Sequence, residues 1–123
     1  MRDIIRILKA LSDETRLRIV NMLMERECCV CEIIQVLEIS QPRASHHLSA
    51  LYAAGLLKMR RQGLFALYDI DRENLDAYAM DLLKAVLGGL KDNKLAQSDL
   101  KKLKTVKKII PACGPVLLSK SAN

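Results

Sequence analysis

The first quarter of the chain predicts two amphipathic helices. Its apolar residues recur three and four positions apart, the spacing that places side chains on one face of a helix. Ser12 stands between the two runs, where its hydroxyl can cap the second helix. The apolar positions are Ile4, Ile7, Leu8 and Leu11 in the first helix and Leu17, Val20 and Leu23 in the second.

A second pair of helices follows, and it is shorter and more polar. Residues 33–37 form a brief apolar stretch, and Ser40 predicts the N-cap of a further helix with Pro42 in its first turn. Gly55 marks the expected end of that helix. Two short helices joined by a tight turn match the helix-turn-helix plan, although these features alone also fit a generic helical hairpin.

The next segment predicts a β-hairpin. Two β-like runs, residues 57–61 and 65–70, flank a turn at Gln62 and Gly63. A hairpin directly after such a helix pair is a wing, and its presence favours DNA binding. We expect Arg60, Arg61 and Gln62, near the tip, to contact phosphates or the minor groove.

A longer apolar stripe over residues 75–90 predicts a final core helix that ends near Gly88 and Gly89. The stripes of this helix and of the first helix exceed what so small a core needs. This excess favours a homodimer built on both helices, and packing within one chain is the alternative. Beyond them, Ser98 predicts a short helix over residues 98–110, before Pro111.

The predicted fold is therefore mainly α with a β-hairpin wing, in the order α-α-α-α-β-β-α followed by a C-terminal tail. With 123 residues, the chain is expected to form one domain. We expect residues 1–90 to form a winged helix-turn-helix domain for DNA binding and dimerisation, and residues 91–123 to form a basic extension.

Positive charge is concentrated in two places. The net charge is +6, yet residues 1–90 hold 12 basic and 12 acidic side chains, so the excess belongs to residues 91–123. Inside the neutral part, no acid occurs between Glu38 and Asp69. That window predicts a local basic patch for a polyanion such as DNA. Its cations are Arg43, Lys58, Arg60 and Arg61.

Steps of 100° per residue divide the second helix of the pair into a buried and an exposed face. Ala44, Leu48 and Leu51 define the buried face, and His47 beside it is expected to be packed or bonded within the protein. The opposite face is expected to enter the major groove of double-stranded operator DNA. Its candidate residues are Gln41, Arg43, Ser45 and His46, with Ser49 on the same side.

Three of the four cysteines are clustered at Cys28, Cys29 and Cys31, and Cys113 lies in the tail. No apolar run approaches the ~20 residues of a membrane span, and charges interrupt the first apolar stretch, unlike in a signal peptide. We therefore expect a cytoplasmic protein with no membrane partner. Reduced thiols there favour a metal, metalloid or redox site over a disulfide framework.

In order, the segments LSDETRLRIVNML, ECCVCEI and ISQPRASHHLSALYAAGLLKMRRQGLFALYDI resemble the ArsR/SmtB family of winged helix-turn-helix metalloregulatory repressors, over about residues 3–90. The resemblance implies a homodimer, not an enzyme, that represses an operon until an inducer releases it from DNA. The arsenite-sensing branch carries a motif close to Glu-Leu-Cys-Val-Cys-Asp-Leu-Cys. Cys29 and Cys31 match its first two cysteines, whereas Ile34 stands at the third and Cys28 at the leucine.

The resemblance implies As(III) or Sb(III) as the inducer, because these soft centres take three thiolates. Cys29 and Cys31 are the expected ligands, with Cys28 as the third and Cys113 as its alternative, and no organic cofactor is expected. Cd(II), Pb(II) or Zn(II) would usually add a fourth ligand. Other branches bind zinc through Asp and His of the last dimer helix, but residues 72–90 contain no histidine.

The cluster is expected where a helix begins, so that free N–H groups and the macrodipole favour thiolates, while Glu27 and Glu32 oppose them. On a regular helix, Cys28 and Cys31 lie about 60° apart, but Cys29 and Cys31 lie about 160° apart. Binding all three sulfurs would therefore distort the start of the helix pair and shift the recognition helix. This distortion would couple the inducer to DNA affinity.

Other functions stay open beside the metalloregulatory repressor. One is a repressor of the same fold that senses thiol oxidation or Cd, Pb or Zn. A small redox enzyme is another, but no general base or cofactor loop accompanies the cysteines. The third is a DNA-binding scaffold whose cysteines are structural and hold zinc.

Overall fold

The computed structural model describes residues 1–107, which form six helices and a three-stranded antiparallel sheet. Over these residues, no helix combines the length and the apolar character that crossing a bilayer requires. The elements in chain order are α1 (Arg2–Leu11), α2 (Glu14–Glu25), β1 (Cys28–Cys29), α3 (Val30–Leu37), α4 (Gln41–Ala53), β2 (Leu57–Gln62), β3 (Phe65–Ile70), α5 (Ala77–Gly88) and α6 (Lys94–Leu103).

The helix pair α3 and α4 begins and ends as its local sequence dictates. The Ser40 hydroxyl accepts the N–H of Arg43 at 3.3 Å, which confirms the predicted cap of α4. Gly55, just after α4, has φ +83°, a conformation that few other residues adopt. At α2 the prediction was wrong by one residue, because Asp13 rather than Ser12 accepts the N–H of Arg16, at 3.0 Å.

The wing is present and carries an extra strand. β2 and β3 pair in register from Leu57↔Ile70 to Gln62↔Phe65, and the chain reverses at Gly63, where φ is +60°. β1 adds to the other edge of β3, so the strand order is β1-β3-β2. The predicted winged helix-turn-helix fold is confirmed. β1 was not predicted, because two residues are too few to show an alternating pattern.

The main core lies between α2, α3, α4 and the sheet. Its largest fully buried side chains include Ile19, Met22, Leu23, Ile33, Leu48, Leu51, Leu56 and Ile70. α1 and α5 contribute fewer buried residues, namely Ile7, Ala10 and Leu11 from α1 and Ala79 and Leu83 from α5. Their remaining apolar side chains lie at the surface or are only half-buried.

The extension begins with a helix that packs on the domain. α6 starts four residues before the predicted 98–110 helix, and Asn93 rather than Ser98 caps it by accepting the N–H of Ala96 at 2.9 Å. Asp99 is fully buried and accepts two hydrogen bonds from Arg18 of α2, at 2.8 and 2.9 Å. This buried ion pair fixes α6 against α2. Residues 108–123, with Pro111 and Cys113, lie outside the described residues.

Candidate DNA-binding face and cysteine site

The exposed face of α4 holds the residues that the sequence predicted as base readers. Arg43, His46 and Ser49 are exposed, and Gln41 and Ser45 are half-buried. Gln41 Nε2 donates to Ser45 Oγ at 2.8 Å, so these two side chains are held together one turn apart. The buried face consists of Ala44, His47, Leu48 and Leu51, as predicted. The contacts of the exposed side chains with DNA stay a prediction.

His47 belongs to the buried face and not to the groove face. It is 7% exposed, and its Nδ1 accepts a hydrogen bond from Arg16 Nε at 3.1 Å. Burial lowers the pKa of His47 below 6.5, although the carboxylate of Asp13 opposes that effect. The prediction of an intramolecularly bonded histidine is confirmed, and the neutral form is the one that can accept from Arg16.

Two of the four cations in the predicted basic patch are paired with acids. Arg60 donates to both carboxylate oxygens of Glu27, at 2.8 and 2.6 Å, and Lys58 donates to Glu73 at 2.7 Å. The acid-free window predicted four uncompensated charges and was wrong, because the fold brings acids from outside it. Arg61 and Gln62 are exposed at the tip of the wing.

Cys29 and Cys31 converge at the start of α3. Cys29 is extended, with φ −81° and ψ 159°, and serves as the N-cap residue of the helix. Its sulfur is bonded to that of Cys31, and the two Cα atoms lie 5.4 Å apart, as is usual for a disulfide. The sequence predicted reduced thiols, whereas the structure has these two cysteines bonded to each other. The 160° separation applies to a regular helix and does not arise here, because α3 begins at Val30 and Cys29 has the extended conformation that joining these two sulfurs requires.

The side chain of Cys28 lies on the opposite face of β1 from that of Cys29. Side chains alternate between the two faces of a strand, so Cys28 lies in the main core while Cys29 and Cys31 pack with Leu67 and Phe65 in a second, smaller cluster. Burial raises the pKa of the Cys28 thiol to about 12, and the guanidinium of Arg26 opposes that rise only in part. The expected preference for thiolate therefore does not hold at Cys28, which is protonated at neutral pH.

A buried carboxylate supports the cysteine pair. Glu32 is 3% exposed; one of its oxygens accepts the backbone N–H of Cys29 at 2.8 Å, and the other accepts from Arg26 at 2.8 Å. Arg26 also donates to the carbonyl of Leu103 at the end of α6, at 3.0 Å. The sequence analysis predicted neither the bond from Cys29 to Glu32 nor the contacts of Arg26. The acid three residues after an N-cap was the available signal for Glu32.

The described chain ends close to this site. Gln35 Nε2 donates to the carbonyl of Cys31 at 3.1 Å and to that of Lys107 at 2.9 Å. One amide group therefore joins the first turn of α3 to the segment that follows α6. Lys107 is thereby held beside Cys31.

The donor set fits a thiophilic ion in part. Two soft sulfurs converge at Cys29 and Cys31, which suits a soft ion. Within residues 1–107, no group of three or more His, Cys, Asp or Glu side chains is arranged to hold a metal ion. Cys28, the predicted third ligand, lies in the main core, and its alternative Cys113 is outside the described residues.

Comparisons with known proteins decide the family. A family model described as "Bacterial regulatory protein, arsR family" matches residues 13–59. The arsenical resistance operon repressor of Escherichia coli (strain K12) is 41% identical over 80 residues, which cover 64% of this chain and 68% of that protein. The chain belongs to the arsR family. Membership in this family of regulatory proteins confirms the predicted family and supports a regulator rather than an enzyme.

Two further relatives of this arsR-family protein differ in the ion that their names carry. The cadmium resistance regulatory protein CadC homolog of Staphylococcus aureus is 40% identical over 74 residues, covering 59% of this chain and 61% of that protein. The arsenic resistance regulator ArsR1 of Pseudomonas putida is 42% identical over 77 residues, covering 59% and 60%. The chain thus spans about three fifths of the length of these two relatives.

Solved structures support the same fold. The homodimeric winged helix-turn-helix DNA-binding domain Mb0332 from Mycobacterium bovis matches with a TM-score of 0.63 and 27% identity, covering 76% of this chain and 82% of that one. HlyU from Vibrio cholerae matches with a TM-score of 0.63 and 29% identity, covering 73% and 92%. The likeness extends over most of the described residues.

Proposed function

We propose that this arsR-family protein is a transcriptional repressor that leaves operator DNA when Cys29 and Cys31 bind As(III) or Sb(III). The observation that carries the proposal is the convergence of two sulfurs at the first turn of the helix pair that contains α4. Relatives named for arsenical resistance support a metalloid, and the cadmium relative supports a thiophilic ion more broadly.

The proposed DNA-binding face consists of α4 and the wing. Arg43, His46 and Ser49 stand on the exposed side of α4, where a major groove can receive them. The hydrogen bond between Gln41 and Ser45 orients both side chains, and the amide and the hydroxyl each keep further hydrogen-bonding capacity for a base edge. Arg60, Arg61 and Gln62 would act mainly on phosphates. Within the proposal, α4 therefore supplies sequence preference and the wing supplies affinity.

A homodimer through α1 and α5 completes the proposed repressor. Ile4, Ile5 and Leu8 of α1 are 38%, 42% and 44% exposed, and Tyr78 of α5 is 41% exposed. A second copy would bury these apolar side chains and present two recognition helices to two half-sites. The Mycobacterium bovis structure, which is described as homodimeric, supports a homodimer.

The third thiol of the proposed site would come from Cys113 at lower cost than from Cys28. Engaging Cys28 takes a protonated thiol out of the core and opens the pairing of β1 with β3 at Cys28↔Tyr68. Cys113 follows Lys107 by six residues, a length of chain that reaches up to about 20 Å. Since Gln35 holds Lys107 beside Cys31, that reach favours Cys113.

Single Cys→Ser variants test the proposal through operator binding measured by gel shift. Cys29→Ser and Cys31→Ser should bind operator DNA close to the wild-type affinity, because neither side chain lies on the proposed DNA face. Arsenite should weaken the reduced wild type by about 5- to 150-fold, the range of ordinary allosteric coupling, and should leave both variants bound. Normal release of either variant by arsenite would remove that residue from the ligand set.

Two further variants separate the candidates for the third ligand. Cys113→Ser should reduce the arsenite response, whereas Cys28→Ser should retain most of it if the core keeps its packing. Thermal unfolding of Cys28→Ser serves as the control for that packing. A full response in Cys113→Ser together with none in a folded Cys28→Ser would restore Cys28 as the third ligand.

A thiol redox repressor is the second candidate, and the bond between Cys29 and Cys31 favours it. In this chemistry the two thiols give up two protons and two electrons to hydrogen peroxide, which becomes two molecules of water, while one S–S bond forms. Peroxide, without metalloid, should then release the operator, and dithiothreitol should restore binding. Release by arsenite under full reduction, with no effect of peroxide, would leave the metalloid function alone.

A further inference from the structure

The wing arginine that sequence assigns to DNA is already engaged by a carboxylate. Arg60 presents two nitrogens to Glu27, with Nε 2.8 Å from Oε2 and Nη2 2.6 Å from Oε1. A phosphate would use the same two donors in the same fork geometry. Glu27 and a DNA phosphate therefore compete for one guanidinium group.

Glu27 is tied to the cysteine site by the chain itself. It directly precedes β1, which contains Cys28 and Cys29. β1 pairs with β3 at Cys29↔Leu67, and β3 pairs with β2 at Arg60↔Leu67. Cys29, Leu67 and Arg60 consequently occupy one rung across the three strands, and Leu67 packs in the same cluster as the cysteine pair. A shift of Cys29 therefore acts on β1, which Glu27 directly precedes, and on the rung that contains Arg60.

We propose that Glu27 is a positioning residue for Arg60, and that ligand binding or oxidation at Cys29 and Cys31 strengthens its hold on that arginine. This inference rests on the proposed function, and it identifies Arg60 of the wing as a group through which the thiols weaken DNA binding. In the repressing state Arg60 exchanges Glu27 for a phosphate, and in the induced state Glu27 keeps it. Induction thereby removes one phosphate contact as well as acting through α4.

The second ion pair of β2 provides a matched comparison. Lys58 Nζ lies 2.7 Å from Glu73 Oε1 on the exposed surface, and Glu73 belongs to the segment after β3 and not to the one that leads into β1. Neutralising either acid removes one negative charge near the wing. Of these two acids, only Glu27 is next to β1 in the chain. The strength of the Glu27–Arg60 ion pair should therefore depend on the state of the thiols, and that of the Glu73–Lys58 pair should not.

The test uses Glu27→Gln, Glu73→Gln and Arg60→Gln in the full chain, with operator affinity measured by fluorescence anisotropy, with and without arsenite. Glu27→Gln should tighten binding by about two- to fivefold, the scale of an exposed ion pair, and should raise the salt slope by up to about 0.9, one phosphate contact. In the Arg60→Gln background the same change should lose most of its effect. Glu27→Gln should also narrow the arsenite-induced loss of affinity by about two- to fivefold.

Glu73→Gln should tighten binding to a similar extent in both backgrounds and leave the arsenite response unchanged. Equal effects of Glu27→Gln with and without Arg60 would reject the positioning role. An arsenite response that stays the same or widens in Glu27→Gln would reject the dependence on the thiols. If neither arsenite nor peroxide changed the operator affinity of the wild type, the proposed function would be rejected. The double-mutant cycle between Glu27 and Arg60 is measured without either compound, so it tests the positioning role separately.

Discussion

At the scale of single residues, two adjacent cysteines have opposite chemistry. Cys28 lies in the main core, where burial raises the pKa of its thiol to about 12, so it acts as a small apolar residue. Cys29 faces Cys31 in a separate cluster. The alternation of side chains along a two-residue strand separates these roles. Within the described residues, two sulfurs therefore meet and the third lies apart from them.

His47 should make the stability of the protein depend on pH on the acid side of neutrality. Its folded pKa lies below the unfolded value of 6.5 because burial disfavours the charged ring, and its Nδ1 accepts from Arg16. The stabilisation is fully present above pH 6.5 and is lost as the pH falls through the folded pKa. Urea unfolding across that window should show a larger loss for wild type than for His47→Gln.

His46→Gln is the control for that pH dependence, because it removes the exposed imidazole next to His47 on the same helix. It should keep most of the wild-type slope of stability against pH, because burial rather than His46 is the main cause of the lowered pKa of His47. Asp13, whose pKa is lowered from 3.8 mainly by the backbone N–H of Arg16, titrates below the window and does not disturb it. An unchanged slope in His47→Gln would show that the bond to Arg16 carries no pH dependence.

Residue chemistry was predictable where it depends on local spacing. The buried face of α4, which includes His47, and the cap at Ser40 follow from positions within one or two turns. The partners of Arg60 and Arg26 were not predictable, since Glu27 lies 33 residues from Arg60 and Leu103 lies 77 residues from Arg26. Such contacts depend on how the elements pack.

At the scale of elements, α1 and α5 both leave apolar side chains at the surface, namely Ile4, Ile5 and Leu8 on α1 and Tyr78 on α5. Leu8→Glu on α1 should raise the dimer dissociation constant at least about tenfold, because an isologous interface would place a charge in two buried positions. Sedimentation equilibrium measures this change. Gln97→Glu adds the same charge on the exposed side of α6 and should leave the dimer intact. A Leu8→Glu protein that dimerises like wild type would move the interface away from α1.

Elements with an apolar pattern were predicted, whereas a two-residue strand and the bounds of a helix held by nonlocal contacts were not. The first five helices and the hairpin follow from apolar spacing, and α6 was expected four residues too late. β1 is only two residues long and exists through its pairing with β3. α6 begins at Lys94 because Asn93 caps it, and its buried face is fixed by Asp99 meeting Arg18 of α2. An aspartate in a lysine-rich segment gives no sign of burial.

At the scale of the whole molecule, the cysteine pair is connected to both parts of the proposed DNA-binding face, α4 and the wing. Cys31 belongs to α3, which packs against α4, and Cys29 belongs to β1, which joins the wing through β3. One change at the two sulfurs can therefore move the recognition helix and the wing arginine together. The extension borders the same site, because Arg26 contacts Leu103 at the end of α6 and Gln35 contacts Lys107 in the segment that follows.

The most direct test of this account is the affinity for arsenite of the reduced protein, free and bound to operator DNA. Coupling between two sites is reciprocal, so operator DNA should weaken arsenite binding by the same factor by which arsenite weakens operator binding, within about 5- to 150-fold. Isothermal titration of both forms gives the two arsenite affinities. Equal affinities in the free and operator-bound protein would contradict the claim that the thiols control DNA binding.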